Sequence, residues 1–391
     1  MMINKATNAT NILTILVNIA VFYCILFPAD MVNIKEILFV IPILFYFVIS
    51  KDNRVIPLYI FFYGIFYTVI AIVYSLIRGT DVSGAISYGY VWLFLLLIPL
   101  TARYSIDIKK CFFFATYIVA IIIDFIFVTD ALGIISISTN PVALFLLNIN
   151  ELQGLGKGIF STFGYSIYYK SCALILITYG YFIFKRKYIA SIPLIVSMLA
   201  CGTRANFIVA LFITVAIPIL CNDTPSKRAI AFLVIFTAGI ALLPSLFDKM
   251  IALNNLKFNR SGSIKWADVA VIVKNMNNNI VNFLLGTGVG SVFYSPRGQL
   301  MRTFEFSYVD YMRQTGLFGM LIFASFIIRP MKWLFNNEKW LFISFIGFLL
   351  VAATNPLLVT STSFMLYVLI YHDYECAKRP ITYYSYENEI A

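Results

Sequence analysis

The chain has 391 residues, of which 61% are hydrophobic and only 12% charged, with a mean hydropathy of +0.88. Soluble globular domains are about 45–50% apolar and about 25% charged, so a water-soluble fold is excluded and an all-α, polytopic integral membrane protein is indicated. The formal charge of +11 is spread over loops, which argues against a nucleic-acid partner.

Aromatic residues make up 17% of the chain, with 37 Phe and 25 Tyr, as expected where many span ends need interfacial anchors. The first apolar run, 12–27, has no small-residue cleavage site after it, so a cleaved signal peptide is not expected. Cys24, Cys111, Cys172, Cys201 and Cys221 lie within or at the ends of apolar runs, and Cys376 follows the last one. No pair has metal-ligand spacing, and the single histidine is His372. No metal, cofactor or disulfide framework is expected.

A helix needs roughly 17–25 apolar residues to cross a bilayer. Twelve such runs are read in chain order: 11–28, 36–50, 55–77, 84–101, 111–128, 166–184, 188–203, 204–221, 229–247, 307–328, 339–353 and 355–372. The break between the seventh and eighth rests on Cys201-Gly-Thr-Arg204. Every second loop is basic: Lys51 and Arg54; Arg103, Lys109 and Lys110; Lys185, Arg186 and Lys187; Lys227 and Arg228; Arg329, Lys332 and Lys339; Lys378 and Arg379. The alternate short loops carry only Lys35, Arg78, Lys157 and Arg204. The positive-inside rule then places both termini in the cytoplasm.

This divides the chain into spans one to nine (1–247), a large outer loop (248–306), spans ten to twelve (307–372) and a cytoplasmic tail (373–391). A smaller outer loop, 129–165, contains Pro141–Leu147, too short to cross and read as a membrane-dipping or interfacial piece, followed by glycines 154, 156 and 158. In the large loop, 264–283 has helical periodicity, with Trp266, Val269, Ala270, Val273, Met276 and Ile280 on one stripe. That pattern predicts one amphipathic helix lying on the membrane or across the mouth of the bundle.

The large loop is strongly basic, and a basic segment at a membrane face suits an anionic ligand such as a phosphate. Its glycine run, LLGTGVGS at 284–291, reads either as an anion-binding backbone nest or as a flexible turn. It is no dinucleotide fingerprint, since no strand precedes it. At about 100° per residue, Arg302, Glu305 and Arg313 fall within about a quarter of a helix circumference. Asp310 lies just off that stripe, three residues before Arg313. The stripe is either a pair of structural ion pairs or a functional cluster turned away from lipid. Arg204, at the outer boundary, either snorkels to headgroups or offers its guanidinium fork to a phosphate. Lys170 and Asp124 are read as a structural pair.

From Cys201 onward the chain resembles a family. CGTR at 201–204 is similar to the Ser/Gly-x-Ser-Arg element of bacterial O-antigen polymerases (Wzy-type) and the related O-antigen ligases. RSGSIKWADVAVIV at 260–273 resembles their Arg- and Trp-containing loop helix, LLGTGVGS their glycine turn, and FEFSYVDYMRQTGLFGMLIF at 304–323 their entry into the next span. These motifs cover about a third of the chain. The Arg-x10-Gly repeats of some members are absent, and the loop lacks the His often prominent in ligases.

The resemblance implies a metal-independent glycosyltransferase of the bacterial inner membrane. It would transfer an undecaprenyl-diphosphate-linked chain onto a new lipid-linked repeat at the periplasmic face. Arg204, Arg260, Lys265, Arg297, Arg302 and Arg313 would hold diphosphate and sugar. Glu305 is the expected base, with Asp310 and then Asp268 behind it. Membrane lipids and a chain-length regulator are the further implied partners. The alternatives are an O-antigen ligase and a polysaccharide transporter or flippase.

Overall fold

The computed structural model describes residues 2–29, 34–49, 56–149, 152–157, 164–221, 263–296 and 298–378. The expected span 229–247, Arg260, Arg297 and the tail from Arg379 lie outside the described residues.

The protein is mostly helical. Among the described residues five helices are long and apolar enough to cross a membrane: α3 (Leu58–Ile77), α4 (Val82–Arg103), α5 (Ile108–Ala131), α9 (Arg204–Cys221) and α12 (Ser307–Asn337). Around them stand α1 (Met2–Leu26), α2 (Ile34–Ile49), α7 (Lys170–Phe184), α8 (Tyr188–Ala200), α13 (Lys339–Ala352) and α14 (Ser361–Lys378). The break between α8 and α9 falls where the sequence puts it, with Gly202 at φ 71° packed on the backbone of Tyr165 and Ser166.

Every residue of α14 from Ser361 to His372 is buried. A helix buried on all sides is sheathed by other helices, so α14 forms the axis of the bundle. Much of the aromatic content is packed here and does not serve as interfacial anchors. The Trp92 ring meets those of Tyr67, Phe326 and Phe364 edge to face, with centroids 5.0, 5.4 and 5.2 Å away. At one end of the bundle Lys109 reaches Asp373 (2.7 Å) and Glu338 (3.6 Å), and the Arg329 guanidinium lies 3.9 Å from the centre of the Tyr59 ring. The starts of α3 and α5, the last turns of α12 and its end at Glu338, and the end of α14 therefore meet.

The opposite end departs from the sequence reading in three places. Pro141–Asn148 is a helix (α6), started by Asn140, whose side chain accepts from the amides of Val142 and Ala143. The glycine segment after it is not a loop: β1 (Leu152–Lys157) pairs antiparallel with β2 (Tyr165–Tyr169). The aromatic run YSIYY thus goes to a strand, with its side chains alternately buried, and the following helix starts only at Lys170. The single amphipathic helix is really two, α10 (Ser263–Asn277) and α11 (Ile280–Leu285). They part where Asn279 turns its side chain to cap the amide of Val281.

A hairpin of β3 (Phe293–Ser295) and β4 (Gln299–Met301) follows α11. With α10 it closes a small core of Ile272, Met276, Phe293 and Phe304, separate from the core of the bundle. Residues 263–306 form, in their described part, a crown over this end.

Candidate functional site

The crown is joined to the bundle by a glycine seam. In α12, Gly316 has φ 66° and ψ −170°, which breaks the helix into two pieces. The break frees the carbonyls of Arg313 and Gln314, and the amides of Thr287 and Gly288 take them up at 2.9 and 3.0 Å. The amide of Val289 donates to the Ser75 hydroxyl and that of Gly290 to the Gln314 side chain. Four consecutive donors are spent inside the protein, so the run is neither an anion nest nor a flexible turn. It is a close-packed joint.

The first piece of α12 begins at Ser307, so Arg302 and Glu305 precede the helix and do not share its register with Arg313. The three residues go to three different places. Arg302 pairs with Asp81 at 2.9 Å and donates to the carbonyl of Gly290. Asp81 in turn caps α4 by accepting from the amide of Gly84. The Arg302 guanidinium and that amide hold the exposed Asp81 carboxyl below the usual carboxylate range. Glu305 forms an ion pair with Lys265 of α10. Its charge also lies within electrostatic reach of Tyr168.

Arg313 is 2% exposed, and all three of its side-chain nitrogens are engaged. Nε donates to Asp310 Oδ1 at 2.9 Å, and Nη2 lies 2.8 Å from the same oxygen in an ion pair. Nη1 donates to the carbonyl and hydroxyl of Ser291, and Nη2 also to the carbonyl of Arg302. The guanidinium lies over the Phe293 ring at 4.9 Å. A fork so fully used is not open to a phosphate. Its geometry is that of a clamp between crown and helix.

Asp310 differs. It is buried, held by Arg313 at one oxygen and by the Gln314 amide at the other (3.0 Å), and it lines a cavity of about 390 Å³ beneath the crown. The walls come from the start of α2 (Lys35, Glu36), from α4 (Ser87, Tyr88, Trp92) and from the strand-to-helix junction at Tyr168 and Lys170. The first piece of α12 and the turn 356–361 close it. Lys35 is 1% exposed, and its ammonium donates to the carbonyl of Pro28 (2.7 Å) and the hydroxyl of Ser361 (3.2 Å). The buried Tyr168 hydroxyl has no hydrogen-bond partner among the described residues. Two lysines, two carboxylates (Glu36 and the tightly held Asp310) and several hydroxyls thus face one space in an apolar bundle.

No protein-family model matches this chain, and no curated protein matches it.

Of the residues the sequence singles out, the structure brings Asp310 to the cavity and sets Arg313 behind it. Lys265 and Arg302 each have an acidic partner and do not line it, nor does Glu305. Asp268 is fully buried in the crown and accepts from the Ser295 hydroxyl. Arg204 opens α9, half-buried and outside the cavity wall. Lys170 and Asp124 do not form the expected pair: Lys170 lines the cavity, and one oxygen of Asp124 is buried without a hydrogen bond among the described residues. Sequence reasoning passes over Lys35, Lys170, Tyr88 and Tyr168 as site residues. The available signal is the scarcity of charge in their loops. A lysine kept where the positive-inside rule disfavours it has a reason to be there.

Proposed function

We propose that the chain is a glycosyltransferase of surface-polysaccharide assembly, a polymerase acting on lipid-diphosphate-linked oligosaccharides at the outer face of the bacterial inner membrane. In this reading the chain has twelve spans and cytoplasmic termini, and the cavity opens under the crown on the periplasmic side. One observation carries it. A cavity of about 390 Å³, large enough for a small ligand group, holds Lys35, Lys170 and Asp310 within an otherwise apolar helical protein. Ionisable groups at membrane depth mark functional sites by default.

The chemistry fits those groups. The acceptor hydroxyl attacks the anomeric carbon of the donor chain, and the bond from that carbon to the diphosphate oxygen breaks. The electron pair leaves with the lipid diphosphate, whose growing negative charge Lys35 and Lys170 neutralise in a low-dielectric site. The hydroxyl proton passes to a carboxylate; Glu36 and Asp310 both line the cavity, and Asp310 is the one held in place by Arg313 and Gln314. Lys265, Glu305 and Arg302 belong to the fastening of the crown.

The test is reconstitution of the purified full-length protein in liposomes with a synthetic polyprenyl-diphosphate oligosaccharide. The expected result is a ladder of longer lipid-linked chains and release of free polyprenyl diphosphate, both lost in Lys170→Ala. Movement of the substrate across the bilayer without elongation would make the protein a transporter instead. Elongation only onto a lipid A-core acceptor would make it a ligase.

A further inference from the structure

The helix α10 packs Ile272 and Met276 inward, yet it leaves a second apolar stripe uncovered. Its inward face carries charge: Asp268 is fully buried, bonded to Ser295, and Lys265 reaches in to Glu305. Its outward face carries Trp266, Ala270 and Val273, spaced i, i+4, i+7 and so aligned in one stripe. Trp266 is 61% exposed and Val273 45%. This is the stripe that periodicity assigns to the core, and the structure turns most of it outward. Only Val269 and Met276 pack inward.

The apolar surface does not stop at α10. In α11, Ile280, Val281 and Leu285 also point outward, Ile280 being 67% exposed. That helix is pinned to the end of α3: Arg78 donates to the Asn282 side chain, and the Tyr74 hydroxyl to the carbonyl of Gly286 at 2.8 Å. The outward residues of α3 itself, Val69, Val73 and Ile77, are equally uncovered. Exposed apolar residues therefore lie both on a helix long enough to span the membrane and on the part of the crown pinned to its end, with Arg78 at the join. Lys274, Asn277 and Asn278 edge them with exposed polar groups suited to headgroups.

We propose that the outward face of α10 and α11 is seated in the lipid interface, at the boundary of headgroups and acyl chains, so that the crown is half sunk in the membrane. The apolar stripe meets acyl chains while the buried charges Asp268 and Lys265 are kept from them by the crown. This inference stands on the packing alone and does not need the glycosyltransferase reading.

The probe is Trp266 itself, in the full-length protein reconstituted in phosphatidylcholine–phosphatidylglycerol liposomes. Its emission is the difference between wild type and Trp266→Phe. Phosphatidylcholine brominated near the headgroup end of its acyl chains should remove most of that emission, and aqueous iodide should remove little. Moving the reporter along the stripe (Trp266→Phe with Val273→Trp) should repeat the result. Placing it at the polar turn (Trp266→Phe with Asn278→Trp) should make it iodide-sensitive. Quenching of Trp266 by iodide but not by bromolipid would overturn the proposal, since the face would then be in water. Quenching by neither would overturn it too, because a second copy or another protein would then cover the stripe.

Discussion

Arg313 shows how residue type and residue role come apart. Its place in the sequence, one charge among several in a basic segment, reads equally as a phosphate ligand or a structural partner. Four hydrogen bonds and an ion pair, all to neighbouring protein groups, decide for structure. Removing one member of a buried ion pair typically costs about 3–5 kcal/mol, so Arg313→Ala should lower thermal stability in detergent by about that much. A ligand-binding arginine would leave the melting temperature nearly unchanged. Asp310 and Glu305 divide in the same way. On the proposed function, Asp310→Asn should give single-repeat product per molecule of folded protein in the membrane, because it keeps the hydrogen-bonding shape and removes the proton acceptor; its loss of the ion pair with Arg313 should also lower thermal stability. Glu305→Gln, which removes the ion pair with Lys265 on the surface of the crown, should keep most polymerisation. Polysaccharide length on gels separates the two, and the reverse order would return the base to Glu305.

At the scale of elements, the joint between crown and bundle depends on glycines that no other residue can replace. A Cβ on Gly286 would lie 2.4 Å from the backbone of Gln314, and one on Gly316 2.4 Å from that of Leu284. Both also have positive φ, which by itself costs an L residue about 1–2 kcal/mol. Gly298, at φ 78° in the β3–β4 turn, has only a tyrosine hydroxyl 3.9 Å away. Gly298→Ala should therefore lose about 1–2 kcal/mol, whereas Gly286→Ala should lose more and release the crown. Limited proteolysis in detergent checks this, with new cleavage between 263 and 306 expected only for Gly286→Ala.

At the scale of the whole molecule, α14 supplies the axis, and the two ends differ in how charge is handled. At the crown end, Asp81 ties α4 to Arg302. Its folded pKa is depressed, so its contribution to stability is present above the unfolded value of about 3.9 and is lost as pH falls through the folded value. Hydrogen exchange of the crown should therefore quicken below about pH 4, and Asp81→Asn should remove part of that pH response. At the other end, Lys109, Glu338 and Asp373 gather the termini of several helices. If the proposed topology holds, a cysteine at 278 is labelled from outside intact cells, and one at 186 only after permeabilisation. The opposite pattern would invert the orientation.

The sequence by itself determined the membrane class, the positions of most helices and the break at Cys201–Thr203. Those depend on local quantities: length of apolar runs, a polar interruption, a glycine where the chain must turn. It also picked out the loop 248–306 and the start of the next span as the unusual stretch, because polar and glycine residues stand out against an apolar background. What it left open depended on who meets whom. Tyr165–Tyr169 is a strand because β1 is there to pair with it. The glycine run is a joint because Gly316 breaks α12 beside it and frees two carbonyls. The stripe on α10 points outward because Phe293 and Phe304 fill the inner core from the other side of the chain. Lys35 and Lys170, distant in sequence and unremarkable in their own loops, line one cavity only once the bundle closes around α14. Periodicity reports that a helix has two faces, and only the tertiary contacts say which of them is covered.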